Sequence, residues 1–567
     1  MKKKALSLIL ATAMAVSVCA CGSTEDQSSA GNESNTKVES SDAESTTAST
    51  PTVDKTPEEY VPTYPISEEP ITITGMVVGK NPNSEGEMTR LLWDTIEEYT
   101  NIRVEWVNLE SPEAVATYLA SDEWPDIIQY KLPQNLVYDY GVLGGRFVNF
   151  LDYIDIMPNL QKTFKDYPTV KAGMTQINGE IYSTVYAPGP ASTAVIARPH
   201  VRTDVLEAAG ITELPTTIDE FYESLKILKE KNGVPGFVLG QEIACDYAPM
   251  LFAAFGTLHN IGFDDDGTGK VTYTYTSDQM KHYYEFLNKL YEEELMHREW
   301  LTMDGTTINQ LCCESDNVAY ITRTAAQAMT AEHLKDGNWD YMSSCLAPLT
   351  SEYDSTQTLA GYLFAGASNG SIYVNAESDY VEEIMKMLDI AYATEEVVEG
   401  SGLYSMSFTY GSEGIGWDWN ADGSYTQHDG SQYGYKSFSE FQYGEMIFEN
   451  TGRPDAWGMT VTSAVGNARA RQLGFTTGVI PYQITEGIFP GNNLKFEEDE
   501  QMVVDQYMTE INTYATQMSA AFITGEKDIE SDWDEYVATF DKMNLGKVLE
   551  VYQAAYDRWN TALEGIE

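Results

Sequence analysis

Between Ile71 and Ile128 the chain switches repeatedly between two hydrophobic periodicities, and that alternation restricts the fold more than any other feature. Ile71-Thr72-Ile73-Thr74-Gly75-Met76-Val77-Val78 is short and β-branched, the composition of a strand. From Glu87 to Tyr99, Met88, Leu91, Leu92, Ile96 and Tyr99 fall at helical spacing. Ile102 to Val107 returns to strand character. Ser111-Pro112 reads as N-cap and first helical residue of a helix running through Ala120, since proline lacks only an N–H that the first turn leaves unbonded. Pro125-Asp126-Ile127-Ile128 is a third strand. Parallel strands need a crossover between them, and two helical crossovers in succession predict a parallel, doubly wound sheet of the α/β class. Ligands of such sheets sit beyond the carboxyl ends of the strands. Here those positions are 79–87, 108–111 and Gln129-Tyr130.

Helical patterns dominate further along. Thr217-Ile218-Asp219-Glu220 is a capping box, with Phe221, Leu225 and Leu228 striping the helix that follows and Gly233 ending it. Further helices are predicted over 278–295, 380–393, 503–522, 531–540 and 545–563. Trp93, Trp533 and Trp559 lie at helical spacing and are expected in the core. No internal repeat is evident.

The amino terminus has a different purpose. Lys2, Lys3 and Lys4 precede an apolar stretch from Ala5 to Val18, the parts of an export signal, and the stretch is too short for a permanent membrane span. Val18-Cys19-Ala20-Cys21-Gly22 resembles the lipobox of bacterial lipoproteins, although Val18 and Cys19 are not its commonest residues. The resemblance implies cleavage before Cys21, residues 1–20 as signal peptide, and a lipid on Cys21; ordinary secretory cleavage is the alternative. Residues 21–65 are rich in Ser, Thr, Glu, Asp, Asn and Pro, too polar to offset their ordering entropy, and are expected to form a disordered tether. A flexible chain of that length spans about 35–40 Å root-mean-square. More than one acyl chain gives stable anchoring, so the expected location is the outer face of the cytoplasmic membrane in a Gram-positive bacterium.

Charge narrows the partners. The formal net charge is −53, and removing the signal takes away three lysines and no acid, leaving −56. So acidic a body repels phosphate backbones, which excludes nucleic acid, and it favours neutral or cationic ligands at long range. Cys245, Cys312, Cys313 and Cys345 are too sparse for a disulfide scaffold and lack zinc spacing, so buried free thiols are expected rather than a bridge through Cys245 or Cys345. The six histidines show no ligand spacing. No cofactor is expected.

Several segments together carry a family resemblance. Leu214-Pro215-Thr216-Thr217-Ile218-Asp219-Glu220-Phe221 resembles the P-T-T-W-D-E-F helix start of family 1 extracellular solute-binding proteins, the receptors of ABC importers, mostly for carbohydrates. Asn178-Gly179-Glu180-Ile181-Tyr182, Arg202-Thr203-Asp204-Val205-Leu206 and Tyr410-Gly411-Ser412-Glu413-Gly414 resemble further segments of that family, in order. Phe522-Ile523-Thr524-Gly525 with Asp532-Trp533-Asp534-Glu535-Tyr536 resembles its lipoprotein ending. The resemblance implies two α/β lobes, each a sheet flanked by helices, joined by hinge strands around a cleft that closes on the ligand. It implies lobe 1 over 66–187, lobe 2 over 188–317, a return to lobe 1 over 318–395, and lobe 2 with C-terminal helices over 396–567. The importer's membrane subunits and ATPase would be separate chains, as no membrane span or P-loop occurs here. A monomeric receptor for a neutral oligosaccharide follows, not an enzyme; a peptide receptor and a surface carbohydrate-degrading lipoprotein are the alternatives. Some relatives carry a calcium loop where this chain has Lys231-Asn232-Gly233-Val234-Pro235-Gly236, which lacks the ligand set.

Three motifs invite other chemistry. Asp418-Trp419-Asn420-Ala421-Asp422-Gly423 begins like an EF-hand, but Asp429 replaces the closing glutamate, and an Asp-Gly turn between strands explains the same residues. Asp264-Asp265-Asp266-Gly267 is a weaker match. Gly366-Ala367-Ser368-Asn369-Gly370 spells GxSxG, but strand residues follow Ser368 where a nucleophile elbow needs a helix. Aromatic rings pack on the C–H faces of sugars, so loop aromatics are the better candidates. Trp124 and Tyr130 flank the third strand, Tyr186 follows the hinge turn, and Tyr247, Trp339, Tyr404 and Trp417 lie in Gly-rich or polar loops. Three or more of these seven are expected in the cleft. Arg198 or Arg202 could build a local basic pocket for a uronate.

Overall fold

The computed structural model describes residues 60–78, 91–121, 123–186, 199–239, 248–257, 261–263, 269–314, 316–357, 368–421, 425–428, 467–482 and 489–564. The alternation that opens the folded part forms β1 (Ile71–Val78), α1 (Leu91–Thr100), β2 (Ile102–Leu109), α2 (Glu113–Leu119) and β3 (Ile127–Gln129). Pro112 already has helical dihedrals (φ −57°, ψ −32°), as its place in the first turn requires. Next come α3 (Pro158–Asp166) and β4 (Ser183–Tyr186). The chain then builds β5 (His200–Val201), α4 (Ile218–Asn232), α5 (Asp278–Glu292) and β6 (Tyr320–Ile321). It returns through β7 (Ser368–Val374), α6 (Val381–Asp389) and a hairpin of β8 (Trp417–Trp419) and β9 (Tyr425–Gln427). Three helices close it: α7 (Glu498–Thr524), α8 (Ile529–Lys542) and α9 (Leu545–Glu564).

The main sheet has the order β2-β1-β3-β7-β4. β1 is parallel to both β2 and β3, as predicted. β7 is antiparallel to β3 and to β4, so the strand that returns to the sheet makes it mixed. The reason is the route of the chain. β4 ends at Tyr186, which pairs with Ser368, so the returning chain enters at the edge it left and runs the opposite way. A Cβ on Gly370 would collide with the carbonyl of Thr184, so only glycine permits this close approach of β7 to β4.

Side chains on the two faces of this sheet feed separate clusters, as a period of two demands. Ile73, Val77 and Ile127 pack with Leu92, Trp93 and Ile96 of α1 and with Ile384 and Leu388 of α6. Met76 and Ile128 pack with Phe147, Tyr182 and Tyr373 on the other face. A second core is chiefly helical. Phe221, Leu225 and Leu228 of α4 meet Tyr283, Leu287 and Leu290 of α5, with Ile511, Phe522, Trp533, Tyr536 and Val548 of the last three helices. Its strands are short: β5 pairs with β6 on one side and bridges to Cys345 on the other. Trp93 and Trp533 are buried as expected, while Trp559 is only half-buried.

Packing moves two expected boundaries. Tyr320, Leu346 and Leu349 lie in the second core, so no return to the first body occurs at 318. Leu403 and Phe408 lie in the first core, so the chain has not left it at 396. Strand pairing explains the first shift, because Tyr320–Ile321 is the partner of His200–Val201 and must stay beside it. Local signals fared better. Thr217 and Glu220 form the predicted capping box, and Gly233 ends α4 in the left-handed region at φ 74°. α7 starts earlier than predicted because Glu497 and Glu500 cap it reciprocally.

Candidate functional site

β1 connects to β2 on one side, and β3 lies on the other, so the connections diverge between β1 and β3. That switch point leaves a crevice beyond the carboxyl ends of the strands. Gln129 ends β3 there, and Tyr130 follows it half-buried against the cluster of Met76, Phe147 and Tyr373. Tyr186 ends β4 at the same edge.

Trp124 belongs to the opposite edge. Six residues of extended chain carry it about 20 Å from Tyr130, and its surroundings are those of a packed residue. The indole N–H donates to the Leu119 carbonyl at 2.9 Å. The Arg146 guanidinium stacks 4.3 Å from the ring centroid, with Tyr140 and Phe147 at 5.3 and 5.5 Å. Trp339 opens a single 3-10 turn after Asn338, whose side chain accepts from Asp340 N–H, and packs against the Met303, Ile308 and Met342 cluster. It is therefore a packing residue of the second body. Tyr247 and Arg198 lie outside the described residues. Arg202 cannot serve a uronate pocket, because it is buried in a two-pronged ion pair with Asp204 at 3.1 and 2.6 Å.

Tyr404 and Trp417 are brought together, with three residues the sequence reading missed: Trp419, Glu413 and Glu396. Trp417 is wholly buried and donates to the Gly411 carbonyl at 2.8 Å. Trp419 stands against it edge-on at 5.1 Å and keeps 39% of its surface exposed. The Tyr404 ring meets Trp417 at 5.7 Å. Burial, reinforced by the charges of Glu413 and Glu396, pushes the Tyr404 hydroxyl up to about 12, and that hydroxyl is bonded to Glu413 and Trp419. Burial also raises Glu413, which the Tyr404 hydroxyl opposes and Glu396 and Asp418 reinforce. At Gly402 (φ 65°) a Cβ would stand 3.0 Å from the Glu413 carbonyl oxygen, so the conformation and the space there both favour glycine. A partly exposed indole bonded to a phenol that itself bonds a carboxylate is an arrangement that can hold a sugar ring by its C–H face and its hydroxyls together.

This shelf sits on the first body. Tyr99, late in α1, donates to the Gly400 carbonyl, and Ser412 bonds Thr95 one turn earlier, both at 3.4 Å. The segment 400–412 thus climbs α1 from its end toward its start, and α1 starts at the carboxyl edge of β1. The EF-hand-like run is a hairpin here, with Trp417↔Gln427 and Trp419↔Tyr425 paired. Asp418 and Asn420 direct their oxygens to His428 at 2.9 Å and Thr426 at 3.0 Å. Ser368 begins strand β7, so no nucleophile elbow forms. Cys312, Cys313 and Cys345 are buried and unbridged, and burial pushes the Cys312 thiol up to about 12; Cys245 lies outside the described residues. One basic feature lies close to Lys131, the residue after Tyr130: Lys495 is pushed down to about 8 by burial and then by the charge of Lys131.

Residues 81–300 match the family model for bacterial extracellular solute-binding proteins. Among solved structures, an extracellular solute-binding protein from Bifidobacterium longum subsp. infantis superposes with a TM-score of 0.68, at 19% identity, over 87% of this chain and 98% of that one. The fold is that of the extracellular solute-binding proteins. FusA of Streptococcus pneumoniae in complex with kestose superposes with a TM-score of 0.62 at 20% identity, over 87% of this chain and all of that one. In sequence, the fructooligosaccharide ABC transporter substrate-binding protein FusA is 24% identical over 532 residues, which cover 88% of this chain and 92% of FusA. Lipoprotein LipO of Bacillus subtilis is 29% identical over 254 residues, 42% of this chain and 47% of LipO.

Proposed function

We propose that this chain is a membrane-tethered extracellular receptor that binds a neutral oligosaccharide in the crevice at the carboxyl edge of its first sheet and delivers it to an ABC importer. The observation that carries the reading is the shelf of Trp419, Tyr404 and Glu413 on a solute-binding fold. The near full-length relative FusA, a fructooligosaccharide transporter protein, supports the sugar class. Cys21 is the proposed lipid site, and LipO, a lipoprotein by name, supports it. No described helix is long and apolar enough to cross a membrane. The receptor acts as a monomer, without a cofactor, beside importer subunits on other chains.

Titration against a panel of oligosaccharides, with tryptophan fluorescence as the readout, tests the proposal. Saturable binding without turnover is expected, together with a smaller radius of gyration in solution scattering as the two bodies close. Release of reducing sugar would establish a degrading enzyme instead, and saturation by short peptides alone would establish a peptide receptor. An acidic sugar is the second reading, and Lys495 beside Lys131 favours it. Tighter binding of uronate oligomers than of neutral ones would decide for it.

A further inference from the structure

Gln129 is the last residue of β3, in register with Val77 of β1, at the point where the strand connections diverge. Its two predecessors, Ile127 and Ile128, are wholly buried apolar residues, and Gln129 is itself only 4% exposed. Among the described residues its side-chain Oε1 nevertheless has no hydrogen-bond partner. A buried amide oxygen without a donor opposes folding, and an apolar residue of the same size would not, so such groups call for a cause. Position supplies one. Gln129 ends its strand at the carboxyl edge of the sheet, where a ligand of this fold class is held, and Tyr130 follows it in the chain.

We propose that Gln129 is a specificity-determining residue of the crevice, its Oε1 accepting a hydrogen bond from a hydroxyl or an amide N–H of the bound sugar. The inference rests on the receptor reading above. It adds a chemical requirement: the ligand must present a donor at this point. An ionised carboxylate has none, so a uronate turned toward Gln129 is rejected even though Lys131 stands nearby. A site built around an unpaired acceptor discriminates strongly against analogues that lack the matching donor, because the acceptor is then left buried and unbonded.

The test uses the full mature chain and a glycan array that includes kestose, followed by fluorescence titration with the tightest binder and its monodeoxy series. Gln129→Met keeps the volume and removes the acceptor. A loss of about 10- to 100-fold in affinity is expected, with the melting temperature of the ligand-free protein unchanged or raised. One monodeoxy analogue should bind the parent protein at least about tenfold more weakly, and that difference should vanish in Gln129→Met. Should the variant not fold, the deoxy series on the parent decides alone. If no single deletion of a donor weakens binding tenfold, the inference is overturned. Equal affinity of parent and Gln129→Met overturns it too, and assigns the oxygen to an internal water while leaving the receptor intact. No binding of any glycan by the parent overturns the receptor reading and this inference together.

Discussion

The two ends of β3 make opposite use of polar residues three positions apart. At the amino end, Asp126 accepts from the Thr74 N–H at 2.7 Å, the Thr74 hydroxyl at 2.8 Å and the Ser378 hydroxyl at 2.6 Å. Trp124 beside it is likewise satisfied through Leu119 and covered by Arg146. At the carboxyl end, Gln129 is buried with an oxygen that has no partner among the described residues, and on the same body Trp419 stays partly exposed beside Tyr404. The amino edge is closed and its polar groups hold structure together. The carboxyl edge carries a polar group that folding alone leaves incomplete. A sheet whose strands mostly point one way separates these tasks, since every connection that leaves the carboxyl ends can vary without disturbing the ladder.

The comparison breaks most visibly at the membrane. The chain enters the folded body at the amino edge, where Ser67 N–H bonds the Thr100 carbonyl and the Asn101 amide bonds the Ser67 carbonyl. Cys21→Ala should therefore move nearly all of the protein from membranes to the medium of a Gram-positive host while sugar affinity stays unchanged. Equal partitioning of variant and parent would remove the anchor.

Aromatic substitutions sharpen it next. Trp419→Ala should weaken sugar binding by about 10- to 100-fold with little effect on melting, since an exposed ring adds little to folding. Trp124→Ala should cost about 2–3 kcal/mol of stability, through lost packing, and leave affinity alone. Calorimetry on both proteins reads both quantities, and a reversed pattern would exchange the roles assigned to the edges.

A pH series adds a further contrast. Asp389 ends α6, is buried, and accepts from the Asn159 and Leu160 N–H groups and the Asn159 amide, so it caps α3 from a distant part of the chain. Burial outweighs these donors and raises its carboxyl from 3.8 to about 7. Because the folded state holds the proton more tightly than the unfolded one, this contribution is complete below about pH 4 and is lost as pH rises through about 7, for a total of roughly 2–4 kcal/mol. Chemical denaturation of Asp389→Asn should show a flatter decline between pH 5 and pH 8 than the parent. An identical slope would show that another group titrates. The smallest effect belongs to the hairpin. Asp418→Asn should weaken its contact with half-buried His428 and cost about 1 kcal/mol or less, and calcium should not change its melting temperature relative to the parent.

Much of the first body was legible beforehand because its signals are local. Ile71–Val78 alternates as a strand and is one, to the residue. Thr217 and Glu220 satisfy each other within one turn, and Gly233 stops the same helix. The candidate site was only partly legible. Tyr130 and Tyr186 fall at the expected edge, and Tyr404 and Trp417 join a cluster, but Trp124 and Trp339 are packing residues. Trp419 was passed over inside an EF-hand-like string, and Gln129 was named only as a residue beyond a strand end. A buried, unbonded amide has no signature in a sequence.

The sequence by itself determined the class of each element: strand or helix along 71–128, the capped helix at 218 and the polar leader before 65. Periodicity, caps and charge act between near neighbours or over the whole chain, so they survive any arrangement of the parts. Tertiary structure alone decided that β7 enters the sheet backwards, that 318–349 stays with the second core, and that Asp389 caps a helix 230 residues away. Those outcomes depend on where the chain leaves one body and re-enters it, a choice made by the summed packing of distant side chains and carried by no local segment.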